Sequence, residues 1–159
     1  MSKPDSLSKY LTSFLRLKQS GTFIDKAPDK PVLLISIIEL IEKGNLKSNR
    51  ILINPEIESV FQKNKQLLSG KSLRADLSTP LYHLQDDKAG GKQFWFVQAN
   101  ELKKPGKPTD PLSRIIEFCY FAEDLFMLLM DPVTRKILRT YLLNTYFPKT
   151  RLKYAAVNV

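Results

Sequence analysis

Between Lys30 and Lys43 the chain runs KPVLLISIIELIEK, and this stretch limits the possible folds more than any other. Asp29 stands in an N-cap position before Pro31, and Gly44-Asn45 follows the last apolar residue, so the pattern predicts a helix over about 30–43. Leu33, Leu34, Ile37, Ile38 and Ile41 spread over more than one helical face. Such a helix is stable only when neighbours pack on it from several sides, which makes it the centre of a globular core. A chain of 159 residues suits one domain, 1–159, built around it.

Other elements follow from spacing. Leu7, Tyr10, Leu11, Phe14 and Leu17 recur at helical intervals and predict a first helix over 5–19. LKSNRILI (46–53) reads as a brief strand, and Asn54-Pro55 then caps a helix through about Leu68, ending at a break over Ser69–Ser72. TPLYHLQ (79–85) and KQFWFVQ (92–98) flank DDKAGG and predict a β-hairpin. The proline-rich, basic segment 103–111 reads as a loop. PLSRIIEFCYFAEDLFMLLMD and PVTRKILRTYLLNTYF, divided at Asp131-Pro132, predict a C-terminal helical pair over about 112–147. The expected fold is α+β: a mostly helical core, a winged-helix-like β-hairpin within about 5–100, and that helical pair. The winged-helix comparison rests on element order alone.

Charge and residue counts narrow the function. Twenty-five Lys and Arg face sixteen Asp and Glu, a net charge of +9, which favours a polyanionic partner. One histidine, His83, and one cysteine, Cys119, leave no intramolecular disulfide and none of the usual zinc ligand sets. Ser–His or Cys–His catalysis would have to converge on single residues. Cys119, in the apolar run IIEFCYF, reads as a buried hydrophobe. Asp86-Asp87 reads as turn chemistry in the hairpin loop, and Gly90-Gly91 precedes a strand, so it is no phosphate-binding loop. No metal, no cofactor and no enzymatic activity are expected. The polar start MSKPDSLSKY and the short apolar runs predict neither a signal peptide nor a membrane span, and hence a cytoplasmic protein without a membrane partner.

Double-stranded DNA is therefore the expected partner, with an acidic protein as the alternative that leaves the domain a basic interaction module. From Lys63 to Lys107 nine cations, among them Arg74, Lys88, Lys92, Lys103 and Lys104, stand against four acids around the hairpin, as phosphate contacts require. A plain solvated surface explains the same pattern. Arg135, Lys136, Arg139, Lys149, Arg151 and Lys153 form a second cluster, with no acid after Asp131. Tyr82, Phe94, Trp95 and Phe96 are candidates for stacking on unpaired bases, but alternation puts Phe94 and Phe96 on one face, where core packing is the expectation. His83 is either a phosphate or base contact or a partly buried strand residue.

Three segments together resemble the N-terminal domain of HNH restriction endonucleases, known in the phosphorothioate-dependent enzymes as the sulfur-binding domain. They are Ala27-Pro28-Asp29-Lys30-Pro31-Val32-Leu33-Leu34, the stretch from Ser78-Thr79-Pro80 through Asp87 to Phe94-Trp95, and Asp131-Pro132 with Arg135, Leu138, Leu142 and Tyr146-Phe147. The resemblance covers about 8–150. It implies a DNA-recognition module without the HNH nuclease, either a domain of a longer protein or a standalone reader, on plain or modified duplex. Pro80 is implied for an apolar sulfur cup and Lys30 for a backbone contact, with Asp29, Thr79 and His83 beside them. Asp29 stands where the family has His, Thr79 where it often has Tyr, and His83 where sulfur binders carry Ala. A bulky His83 narrows such a cup and Asp29 repels an anion, so the resemblance supports DNA binding more than sulfur reading.

Overall fold

Helix α2 (Asp29–Glu42) is enclosed almost completely: every residue from Lys30 to Ile41 is buried, including Ser36 and Glu39. In the computed structural model, which describes residues 3–17, 29–70, 76–99 and 115–158, it is the hub. Around it pack α3 (Pro55–Ser69), α4 (Ser78–His83), α5 (Glu123–Met130) and α6 (Pro132–Tyr146). The N-terminal α1 (Lys3–Phe14) lies on α5 and α6, and α7 (Arg151–Asn158) lies on α3. One contiguous apolar cluster runs from Tyr10 through Ile38, Trp95 and Leu138 to Tyr154.

The chain is α+β and mostly helical. Among the described residues four strands form two antiparallel pairs: β1 (Lys88–Ala89) with β2 (Lys92–Gln93), and β3 (Trp95–Ala99) with β4 (Ile116–Phe121). The first pair turns at Gly90-Gly91, with φ of 58° and 77°, backbone that glycine adopts without a Cβ penalty. In the second, Phe96 faces Tyr120 and Gln98 faces Phe118.

Caps delimit the helices where the sequence indicates. Asn54 accepts from the Ile57 amide at 2.9 Å and Asp131 from the Thr134 amide at 3.0 Å, each before a proline in the first turn. Gly70 closes α3 in the left-handed region. Tyr10 Oη donates to Asp124 at 2.6 Å and Lys9 Nζ to the same carboxylate at 2.7 Å, which ties α1 to α5.

Several expectations are corrected. Residues 79–85 are no strand: α4 and a 3-10 turn (Leu84–Asp86) occupy them. The Asp76 side chain accepts from the Ser78 amide and hydroxyl, so Asp-x-Ser-Thr-Pro is a helix start rather than a strand flank. The hairpin partner of Lys92-Gln93 is accordingly Lys88-Ala89. IEFCYF is a strand, not a helix, and it pairs with the Trp95 strand. Of 46–53 only Ile51 bridges, to Cys119, while the Asn49 side chain gives and takes hydrogen bonds with the Phe121 backbone, each 2.8 Å. Phe94 falls between β2 and β3, where alternation resets, so Phe94 and Trp95 are both buried and Phe96 is only half-buried. The first helix ends at Phe14, and α7 is an element the sequence reading left out. The predicted loop 103–111 lies outside the described residues, as do 71 and 72 of the break. No helix among the described residues is long and apolar enough to cross a membrane.

Candidate nucleic-acid interface

The start of α2 carries Asp29 and Lys30, and both are engaged by the fold. Lys30 Nζ donates to Asp87 Oδ2 at 2.7 Å, with side-chain exposures of only 9% and 4%. The segment between the 3-10 turn and β1 thus delivers a carboxylate to the first turn of the central helix. Asp29 lies 3.0 Å from Lys65 Nζ on α3. The pair implied to face DNA is instead turned towards α3 and the hairpin.

Along α4, Thr79 and His83 are exposed and Pro80 is buried. Thr79 Oγ1 donates to Asp76 at 3.3 Å, and His83 Nδ1 lies 3.7 Å from the Asp86 carboxylate one turn on. His83 is half-exposed and stands edge-on to Tyr82, ring centroids 5.4 Å apart. It is a surface helical residue, not a strand residue. Asp86 is exposed at 64%, so the two adjacent carboxylates Asp86 and Asp87 have opposite environments. Among the described residues no group of three or more His, Cys, Asp or Glu stands close enough to hold a metal ion.

The hairpin presents Lys88 and Lys92 to solvent. Neither has a carboxylate partner among the described residues, and the same holds for Arg16, Lys47, Lys136, Lys149, Arg151 and Lys153. Lys9, Lys43, Lys63, Lys65, Arg135 and Arg139, by contrast, neutralise Asp124, Glu39, Asp29 and Glu42. The free cations are those whose charge an external anion can meet. Arg74, Lys103 and Lys104 lie outside the described residues.

Buried ionisable groups complete the electrostatics. Glu39, 2% exposed, would have its pKa raised by burial, but hydrogen bonds from Lys63 at 3.0 Å and Lys43 at 3.2 Å outweigh this and hold it below the ordinary glutamate value. Tyr154 Oη donates to the same carboxylate at 3.1 Å, and burial followed by that neighbouring charge pushes the phenol up. Burial also pushes the Cys119 thiol up to about 12, which suppresses the thiolate and keeps it unreactive.

Sequence reasoning missed the outer face of the β3–β4 pair. Phe96 and Tyr120 stack with centroids 5.1 Å apart and planes 17° apart, Phe118 follows at 6.0 Å from Tyr120, and the Arg50 guanidinium lies 4.4 Å from the Phe118 centroid. Alternation in Glu-Phe-Cys-Tyr-Phe was the available signal, and a helical assignment concealed it. Beside Arg50 opens a groove of about 210 Å³ lined by Asn45, Lys47, Ser48, Asn54 and Glu56. Compared with known proteins, the chain matches no protein-family model and no curated protein.

Proposed function

We propose that the chain is a non-catalytic DNA-binding module that works in the cytoplasm and holds duplex DNA mainly through phosphate contacts. The observation that carries this is the set of exposed cations without carboxylate partners, Lys88 and Lys92 on the hairpin and Lys136, Lys149, Arg151 and Lys153 near the C-terminus, on a chain of net charge +9. Unneutralised Lys and Arg release condensed counterions when they meet phosphates, which supplies affinity independent of sequence. Thr79 and His83, both exposed on α4, add polar groups that a bound duplex can meet. The resemblance to the N-terminal domain of HNH restriction endonucleases supports a role as the target-recognition part of such a system, on plain or modified duplex. Because Pro80 and Lys30 are both buried, an apolar sulfur cup at those residues is not part of the proposal.

A second reading has one observation in its favour. Val133, Ile137 and Tyr141 recur every four residues along α6 and are 67%, 36% and 40% exposed, an apolar ridge of the kind a protein partner covers. Salt titration of duplex binding separates the two. DNA binding through several phosphates weakens linearly in log[salt], and Lys88→Gln and Lys92→Gln each reduce the slope by about one. No binding to any duplex at low salt leaves the protein-interaction reading.

A further inference from the structure

Antiparallel pairs with one face in the core usually turn polar side chains outward. The β3–β4 pair does not. Its inner side sends Trp95, Cys119 and Phe121 into the core, each at most 1% exposed, while its outer side carries Phe96, Phe118 and Tyr120, all half-buried. The register sets Phe96 opposite Tyr120 and Gln98 opposite Phe118, so the three rings form a row. Arg50 extends the row with its guanidinium over Phe118, steered by Glu117 at 3.7 Å.

We propose that this row is a stacking platform for one unpaired nucleobase of a bound nucleic acid, with the adjoining phosphate held by Lys47 in the neighbouring groove. The inference rests on the nucleic-acid reading above and adds to it the kind of base that is recognised. Aromatic rings and guanidinium planes both stack on nucleobases, and every base offers a π-face. A paired base has both faces covered by its neighbours, so only an unpaired or extruded one can reach the row. Chemistry at the groove fits a nucleotide: Lys47 is exposed and has no carboxylate partner among the described residues, Asn45, Ser48 and Asn54 offer donors and acceptors, and Glu56 is the one acid in the wall. The net charge of +9 favours a polyanion over an acidic-poor protein surface or a second copy of this chain.

Fluorescence anisotropy with three labelled oligonucleotides tests this: a fully paired duplex, the same duplex with one bulged nucleotide, and the single strand. The full chain is expected to bind the bulged duplex and the single strand more tightly than the paired duplex. Tyr120→Leu keeps an apolar side chain but no ring, and is expected to lower affinity for the bulged duplex roughly 5- to 100-fold while leaving the paired duplex unchanged. Lys47→Ala and Arg50→Gln, both at exposed positions, are expected to act in the same direction, and they carry the test if circular dichroism finds Tyr120→Leu unfolded. Equal affinity of the wild type for paired and bulged duplexes, or variants that keep the full preference, would overturn the platform and leave duplex binding standing. Binding of none of the three at low salt would overturn duplex binding and the platform together.

Discussion

Two buried carboxylates, Asp87 and Glu39, determine what single residues do in this chain. Asp87 neutralises Lys30 at 4% and 9% side-chain exposure, so truncating either partner strands the other charge in the core. Lys30→Ala is expected to cost about 3–5 kcal/mol in chemical denaturation, whereas replacing both partners by apolar residues costs much less. If Lys30→Ala left stability unchanged and weakened only DNA binding, its place in the core would be refuted. Glu39 gives a pH dependence whose sign is fixed. Its folded-state pKa is lowered, since Lys63 and Lys43 outweigh the upward push of burial, so in acid the unfolded chain takes up the proton first. The stabilisation is present above the unfolded glutamate value of about 4.3 and is lost as pH falls through the lower folded value. Denaturant midpoints measured from pH 6 downward should therefore drop for the wild type and drop less for Glu39→Gln. These partnerships join residues 57 and 24 positions apart, Lys30 with Asp87 and Glu39 with Lys63. No local pattern encodes them, which is why Lys30 reads in the sequence as a surface contact.

At the scale of elements, local chemistry is legible and pairing is not. Asn54-Pro55 and Asp131-Pro132 mark the starts of α3 and α6 because a cap is satisfied within three residues. Asn54→Ala and Asp131→Ala are each expected to lower stability by about 1 kcal/mol, read as a fall in the denaturation midpoint at unchanged slope. The larger loss is expected at Asp131, since its side chain also accepts from the Thr134 hydroxyl at 3.1 Å. α2 is equally legible, for a helix apolar on several faces has no stable place except the centre. The β3–β4 pair is different: its strands come from 95–99, which reads as extended within 92–98, and from 116–121, whose short apolar run satisfies a helical template as well as an extended one. Length decides such cases, and six residues of IEFCYF merge in sequence with the helix that begins at Glu123. Residues 79–85 read as extended for the opposite reason, because Asp76 supplies the helix-starting acceptor from outside the segment. The aromatic row, which depends on that strand pairing, was hidden with it.

For the whole molecule, one apolar cluster ties together elements from both ends of the described chain. It joins Tyr10 and Phe14 of α1, α2, Phe61 of α3, Trp95 and Cys119 of the β3–β4 pair, Leu138 of α6 and Tyr154 of α7. α7 has only eight residues, yet Tyr154 Oη reaches Glu39 and, just before the helix, Thr150 Oγ1 donates to the Leu68 carbonyl at 2.7 Å, so it is fastened to both α2 and α3. A domain of this size with one core unfolds as a unit, with a stability on the order of 5–15 kcal/mol. Three probes report on separate parts. Trp95, fully buried with its indole donating to the Leu81 carbonyl at 2.7 Å, reads the contact between β3 and α4. Cys119, the only thiol, reads the centre of β4, and far-ultraviolet circular dichroism reads the helices. Because burial suppresses the Cys119 thiolate and excludes reagent, labelling by an aromatic disulfide requires opening of the β3–β4 pair. Tryptophan fluorescence, circular dichroism and equilibrium thiol accessibility are therefore expected to share one midpoint in urea. An earlier loss of helical signal, with Trp95 and Cys119 still protected, would show that α7 or α1 opens before the core and would divide the molecule into two cooperative units.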